Sequence, residues 1–185
     1  MKRITLALAT ITLFAIVAVA TAKAKLPFHF NEATNTQLTS VQLNAAESTR
    51  THGVVNKKDN TITFIQKKIQ LVVRTGPEDD MLSYRIEGLR NPTVIVPKKA
   101  TVKVLFMNVD DDMHHDFRLG AIQAPFSPSP GIADTTGSAK LAPQAKGVFT
   151  AQRFSYVMNN KATLSYYCSV GAHAKNGMFG KLIVK

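Results

Sequence analysis

The chain has 185 residues, 45% of them apolar and 19% charged, with no Trp and a single Cys. That is enough for one domain with a real hydrophobic core and no disulfide staples, and the composition excludes collagen-like and low-complexity classes. The net charge of +11 implies a solvated basic surface that steers acidic partners, but the 23 Lys and Arg are scattered along the sequence instead of forming a stripe, which argues against nucleic acid.

The first 22 residues are a targeting segment. Met1-Lys2-Arg3 is followed by Ile4–Ala22, 19 residues without a charge. A run of that length falls within the roughly 17–25 residues that span a bilayer, whereas "ATA" and "AKA" over residues 20–24 have the small-residue character of a cleavage site. Two readings stand: an anchor retained in the inner membrane, or a cleaved signal peptide. In either case the rest is expected outside the cytoplasm, on the periplasmic side. Residues 23–58 are polar and rich in Ala, Asn and Thr, and are expected to be a weakly structured extension with at most a short helix over Leu38, Val41 and Leu43.

From residue 59 to 185 the pattern is β. "TITFIQKKIQLVVRT" alternates and is rich in branched residues, "MLSYRIEG" is a further candidate, and "NPTVIVPKKATVKVLFMNVD" reads as strands Thr93–Val96 and Thr101–Asn108 about a turn at Pro97-Lys98-Lys99. "HDFRL" is a short strand. "GVFTAQRFSYVM", "ATLSYYCS" and "MFGKLIVK" follow. Seven or eight strands with little helix predict an all-β, antiparallel sandwich or barrel. A loop over residues 120–146 is unusually long; it carries Ile122, Pro125, Phe126, Pro128 and Pro130, and its first half is expected to pack over something.

The lone cysteine is the informative residue. Outside the cytoplasm cysteines usually pair, so Cys168 is a dimer bridge, an inert thiol or a ligand. In "YYCSVGAHAKNGMFGKLIVK" it is followed at equal spacing by His173 and Met178. Thiolate, imidazole and thioether together suit copper, and a Cys with two His and a weak Met is the set that cycles between Cu(I) and Cu(II). Met is a poor zinc ligand, and a two-copper centre would need a second Cys on this loop. The missing imidazole must come from another strand. His29 and His52 lie in the polar extension; of the adjacent His114 and His115, alternation puts His115 on the face of Phe117 and Leu119 and so inward.

From "NPTVIVPKKATVKVLFMN" through "HHDFRL" to the last twenty residues, the chain resembles the blue (type 1) copper cupredoxins, in particular the rusticyanin-like group of acidophilic iron oxidisers. "GMFGK" with "IVK" is the most specific part. The resemblance implies a Greek-key β-sandwich or barrel and one copper on His115, Cys168, His173 and Met178. It also implies a non-enzymatic one-electron carrier exchanging with a c-type cytochrome or a terminal cytochrome c oxidase in a respiratory chain. The long N-terminal run fits a membrane-anchored cupredoxin that partners such an oxidase. A copper-delivery protein for oxidase assembly is the alternative, and a multicopper enzyme would need further histidines. The chain departs from the group where Asp116 replaces a Ser. Asp116 is expected to tie the His115 segment to the Cys168 loop and to lower the potential, although strict alternation would turn it outward. Electrons are expected to pass through His173, with Val170, Gly171, Ala172, Pro125 and Phe126 forming an apolar docking patch.

Overall fold

The computed structural model describes residues 26–185; the run Ile4–Ala22 lies outside them. Within the described residues no helix is long and apolar enough to cross a membrane. The strands are β1 (Phe28–Thr39), β2 (Val54–Asn56), β3 (Thr61–Thr63), β4 (Lys68–Thr75), β5 (Tyr84–Ile86), β6 (Leu89–Arg90), β7 (Thr93–Val96), β8 (Thr101–Asn108), β9 (Arg118–Gly120), β10 (Thr135–Gly137), β11 (Val148–Met158), β12 (Ala162–Tyr167) and β13 (Phe179–Val184), with one helix, α1 (Ser40–Thr49). They form two sheets, ordered β1-β11-β8-β4-β5-β6 and β10-β9-β12-β13-β7-β3-β2. Among the described residues α1 is the one α-helix, and a single 3-10 turn covers Glu78–Asp80.

β8 shows why the sheets stack. Val102, Val104, Phe106 and Asn108 alternate onto the inner face, where the first three join Tyr84, Phe117, Phe154, Tyr156, Tyr166 and Leu182 in the main core. Phe117 stacks on Tyr166 at 5.3 Å between ring centres, and Tyr84 meets both edge-on. The opposite face of β8 is apolar too. Leu105 and Met107 form a second, smaller core with Val72, Phe149, Leu38 and Leu43, the last contributed by α1.

That second core corrects the expectation for residues 23–58. From Phe28 onward the segment is not a weakly structured extension, because its strands pair into both sheets. β1 runs antiparallel along β11 from Phe28↔Met158 to Thr39↔Val148, with one irregularity between Asn31 and Thr34, and β2 pairs with β3 in the other sheet. Only Phe28 and Leu38 of β1 are buried, so the strand is held by backbone pairing along a sheet edge and not by an apolar stripe. α1 starts on a capping box: the Thr39 hydroxyl accepts from Gln42 N–H (3.4 Å), and Gln42 Oε1 accepts from Thr39 N–H (2.9 Å). Leu38 sits in the strand and Val41 faces solvent, leaving Leu43 as the residue α1 buries.

Two further expectations change. "TITFIQKKIQLVVRT" is not one strand: β3 lies in one sheet and β4 in the other, and the exposed Ile65–Lys67 link carries the chain across. The sandwich is also not wholly antiparallel, because β4 runs parallel to β8 and β7 runs parallel to both β3 and β13. The two ends of the sandwich differ. The ends of β8 and β12 lead to His115 and Cys168. The opposite end holds Phe28, the 97–101 turn and the connection from β11 across to β12 in the other sheet, where Lys99 N–H donates to Met158 C=O at 2.6 Å.

Candidate metal centre

Cys168 follows the last residue of β12, and Met178 precedes β13. Cys168 N–H donates to Met178 C=O (3.1 Å), which closes the loop, and Met178 N–H donates to His173 C=O (2.9 Å). Gly177 has φ +107°, a left-handed conformation suited to glycine, and its C=O accepts from Asn91 Nδ2 at 2.8 Å, fixing the turn to the neighbouring strands. Cys168 and Met178 are fully buried in the main core.

His115 arrives from another segment. It lies outside any strand and is held by a two-way bridge to Leu141: His115 N–H donates to Leu141 C=O (3.2 Å), and Leu141 N–H donates to His115 C=O (2.8 Å). The second half of the long loop therefore positions this imidazole. His115 is fully buried, while His114 is exposed. His115 Nδ1 lies 3.9 Å and His173 Nδ1 3.4 Å from Cys168 Sγ, and the three donor atoms lie within 4.8 Å of one another. His173 is half-buried.

The electrostatics suit a soft cation. Burial pushes the Cys168 thiol up to about 12, with the charge of Asp116 adding to the effect, so a thiolate here needs a positive partner. Burial lowers His115 in spite of Asp110, and burial together with His115 lowers His173, which favours the neutral rings that offer a lone pair. Two neutral imidazoles, a shielded thiol and a buried thioether fit a type 1 copper site.

Two residues around this group are new relative to the sequence reading. Asp110 Oδ2 lies 3.1 Å from His115 Nε2, the ring nitrogen remote from Cys168, and Oδ1 accepts from Asp112 and Met113 N–H, both at 3.0 Å. Burial alone would raise the Asp110 carboxyl; these backbone N–H bonds and His115 outweigh it and hold it at about 2. A carboxylate on the far nitrogen fixes the tautomer and presents Nδ1 to the site. Asn108 supplies the scaffold. Its Nδ2 donates to Met113 and Ala142 C=O (2.8 and 3.0 Å), and its Oδ1 accepts from Asp110 N–H (3.2 Å). A polar residue on the inner face of an apolar strand was the available signal for Asn108; the run of three aspartates hid Asp110.

Asp116 is buried, at 5% exposure, and does not point outward. Regular alternation starts only at Arg118, so the preceding residues are free to turn. Its Oδ1 accepts from Ser169 N–H (2.6 Å) and its Oδ2 from the Ser169 hydroxyl, linking the His115 segment to the residue after Cys168. Phe126 corrects the expected docking patch. It is buried on Tyr167 and Phe179, with ring centres 4.9 and 5.1 Å away, so it braces the metal loop and Pro125 is the member of that pair left exposed.

No protein-family model matches the chain. Among curated proteins, rusticyanin of Acidithiobacillus ferrooxidans is 31% identical over 128 residues, which cover 68% of this chain and 82% of the relative. The chain belongs to the rusticyanin family. A rusticyanin of Acidithiobacillus ferridurans is 30% identical over 68% of each chain. Reduced rusticyanin, solved at 1.9 Å, superposes with a TM-score of 0.76 at 27% identity, covering 82% of this chain and all of the other (100%). Rusticyanin from Thiobacillus ferrooxidans gives a TM-score of 0.76 at 28% identity, over 83% and 99% of the two chains. Membership in the rusticyanin family makes this chain a blue copper electron carrier with a cupredoxin-like fold.

Proposed function

We propose that His115, Cys168, His173 and Met178 hold a single copper and that the protein exchanges one electron at a time with a c-type cytochrome or a terminal cytochrome c oxidase on the periplasmic side of the inner membrane. The observation that carries this reading is the buried His115–Cys168–His173 group, with its imidazole nitrogens 3.9 and 3.4 Å from the thiol sulfur. Copper bound there supplies a Cu(I)/Cu(II) couple. The protein's part is rigidity: Asp110 and Leu141 fix His115, the loop bonds of Asn91 and Met178 fix the other end, and Asp116 joins the two. Donors that hardly move between oxidation states keep the reorganisation cost low.

Electrons pass through His173, the half-buried member of the set. Around it Val170 and Ala172 are half-buried, Gly171 and Pro125 are exposed, and none carries charge, so a partner can approach closely. A delivery role needs an open site from which metal leaves, and full burial of His115, Cys168 and Met178 speaks against it. The test is addition of Cu(II) to the purified metal-free protein. An intense visible Cys-to-copper charge-transfer band, absent in Cys168→Ala, is expected; a colourless adduct overturns the assignment.

A further inference from the structure

Six lysines far apart in the sequence meet at the end of the sandwich opposite Cys168. Thr101 N–H donates to Lys67 C=O (2.7 Å), and Lys68 pairs with Thr101 across β4 and β8. Lys98 N–H donates to Lys185 C=O (2.7 Å), Lys99 N–H donates to Met158 C=O (2.6 Å), and Lys161 precedes Ala162, the partner of Val184. All six side chains are exposed. No Asp or Glu occurs among residues 26–30, 65–68, 97–101 or 157–162, which build this end. Charge that is scattered along the chain is thus gathered by the fold.

The same end receives the N-terminal chain. Asn159 and Asn160 N–H both donate to Pro27 C=O (3.1 Å), and the sequence before it carries Lys23, Lys25 and the uncharged run Ile4–Ala22. Ile65, 78% exposed, stands beside Lys67 and Lys68. No arginine lies in these segments, so no planar fork is present to recognise one particular carboxylate. Ammonium groups on flexible stems around one apolar side chain suit a diffuse anionic surface that also admits apolar groups.

We infer that this lysine end rests on an anionic phospholipid surface, holding the copper end away from the bilayer and toward its partners. This deepens the membrane part of the proposed function and rests on it. Each lysine at such a surface is worth roughly fivefold in partitioning, an attraction that salt screens within about 10 Å.

The test uses the full chain with vesicles of phosphatidylcholine, alone or mixed with phosphatidylglycerol, and follows lysine acetylation site by site by peptide mass spectrometry. On phosphatidylglycerol vesicles the six lysines should react at least threefold more slowly than on phosphatidylcholine. Lys57, Lys58 and Lys175, on the copper side, should be unchanged, and high salt should remove the protection. In the combined variant Lys98→Gln, Lys99→Gln, Lys161→Gln, Lys185→Gln, the remaining Lys67 and Lys68 should react equally on both vesicles. Equal rates for the native chain on the two vesicles, or protection of the copper-side lysines instead, would overturn the inference and leave the lysine end to a soluble acidic partner. Sedimentation with pure phosphatidylcholine vesicles reports separately on the apolar run. Sedimentation without anionic protection keeps the anchor and discards the lysine surface; protection without sedimentation does the reverse.

Discussion

Replacing Asp116 separates two jobs that one carboxylate performs. Its oxygens accept from Ser169 N–H at 2.6 Å and from the Ser169 hydroxyl. Hydrogen bonds to a charged group contribute about 1.5–3 kcal/mol each when buried; with Ser169 only part-buried, Asp116→Ala should cost about 2–4 kcal/mol. At about 2–4 °C per kcal/mol for a chain of this size, metal-free Asp116→Ala should melt roughly 5–15 °C below the native protein. Asp116→Asn keeps an acceptor for Ser169 N–H and should stay within about 1 kcal/mol. It does remove a negative charge held against Ser169, the residue after Cys168. A unit charge several ångströms from the site, at an effective dielectric constant near 20, contributes about 1–3 kcal/mol. At about 59 mV per tenfold for one electron, that charge lowers the potential by roughly 40–130 mV, because it favours the more positive copper state. Voltammetry on copper-loaded native, Asp116→Asn and Asp116→Ser proteins, from acid to neutral pH, is the assay. Both variants should lie above the native potential. Equal potentials at every pH would refute the electrostatic role, and a native melting temperature for Asp116→Ala would refute the mechanical one.

Three further outcomes follow from the same geometry. Asp110 is held at about 2, below the ordinary carboxylate range, so it contributes stability that is fully present above the unfolded value near 4 and lost as pH falls through about 2. The melting-temperature gap between native protein and Asp110→Asn, measured by circular dichroism, should therefore be constant above about pH 5 and shrink toward pH 2. Thr39→Ala removes half of the capping box of α1 and should cost about 1 kcal/mol, or roughly 2–4 °C, by thermal melting without altering the visible spectrum. Ala172→Glu, beside His173, should slow stopped-flow exchange with cytochrome c at least severalfold while leaving the potential within a few tens of millivolts; an unchanged rate would remove this face from the exchange route.

Legibility in the sequence followed the source of each structural cause. β7 and β8 run over the residues that alternation and the Pro97-Lys98-Lys99 turn marked, because their own side chains choose which face to bury. The donor loop was readable because its chemistry is local, a few residues between two strands. His115 is buried as read, along with Phe117 and Leu119, but it lies before β9 and Asp116 between them is buried too, so strand alternation is not what turns it inward. β1 was not readable: its alternation is poor, and its stability lies in the backbone of β11, which no side-chain pattern in "FHFNEATNTQLT" records. Asp110 and Asp116 were opaque for a related reason. Both are turned inward by partners elsewhere, the ring of His115 and the backbone of Ser169, where charge alone implies solvent. The burial of Phe126 depends on Tyr167 and Phe179, again distant in sequence.

The β1–β11 pairing also sets a timetable. Asn31 and Ser155, whose side chains meet at 2.8 Å, are 124 residues apart. At a synthesis rate of about 5–20 residues per second, the first strand made waits roughly 6–25 s for the strand that covers it. Throughout that interval its backbone donors and acceptors form a bare edge, open to pairing with any other extended chain. The polar, charge-bearing makeup of β1, with Asn31, Glu32, Thr34, Asn35 and Gln37 exposed or nearly so and only Phe28 and Leu38 destined for burial, gives such a stray pairing little to bury. What reads in the finished sandwich as a weakly patterned strand is, while the chain is still growing, a safeguard against aggregation.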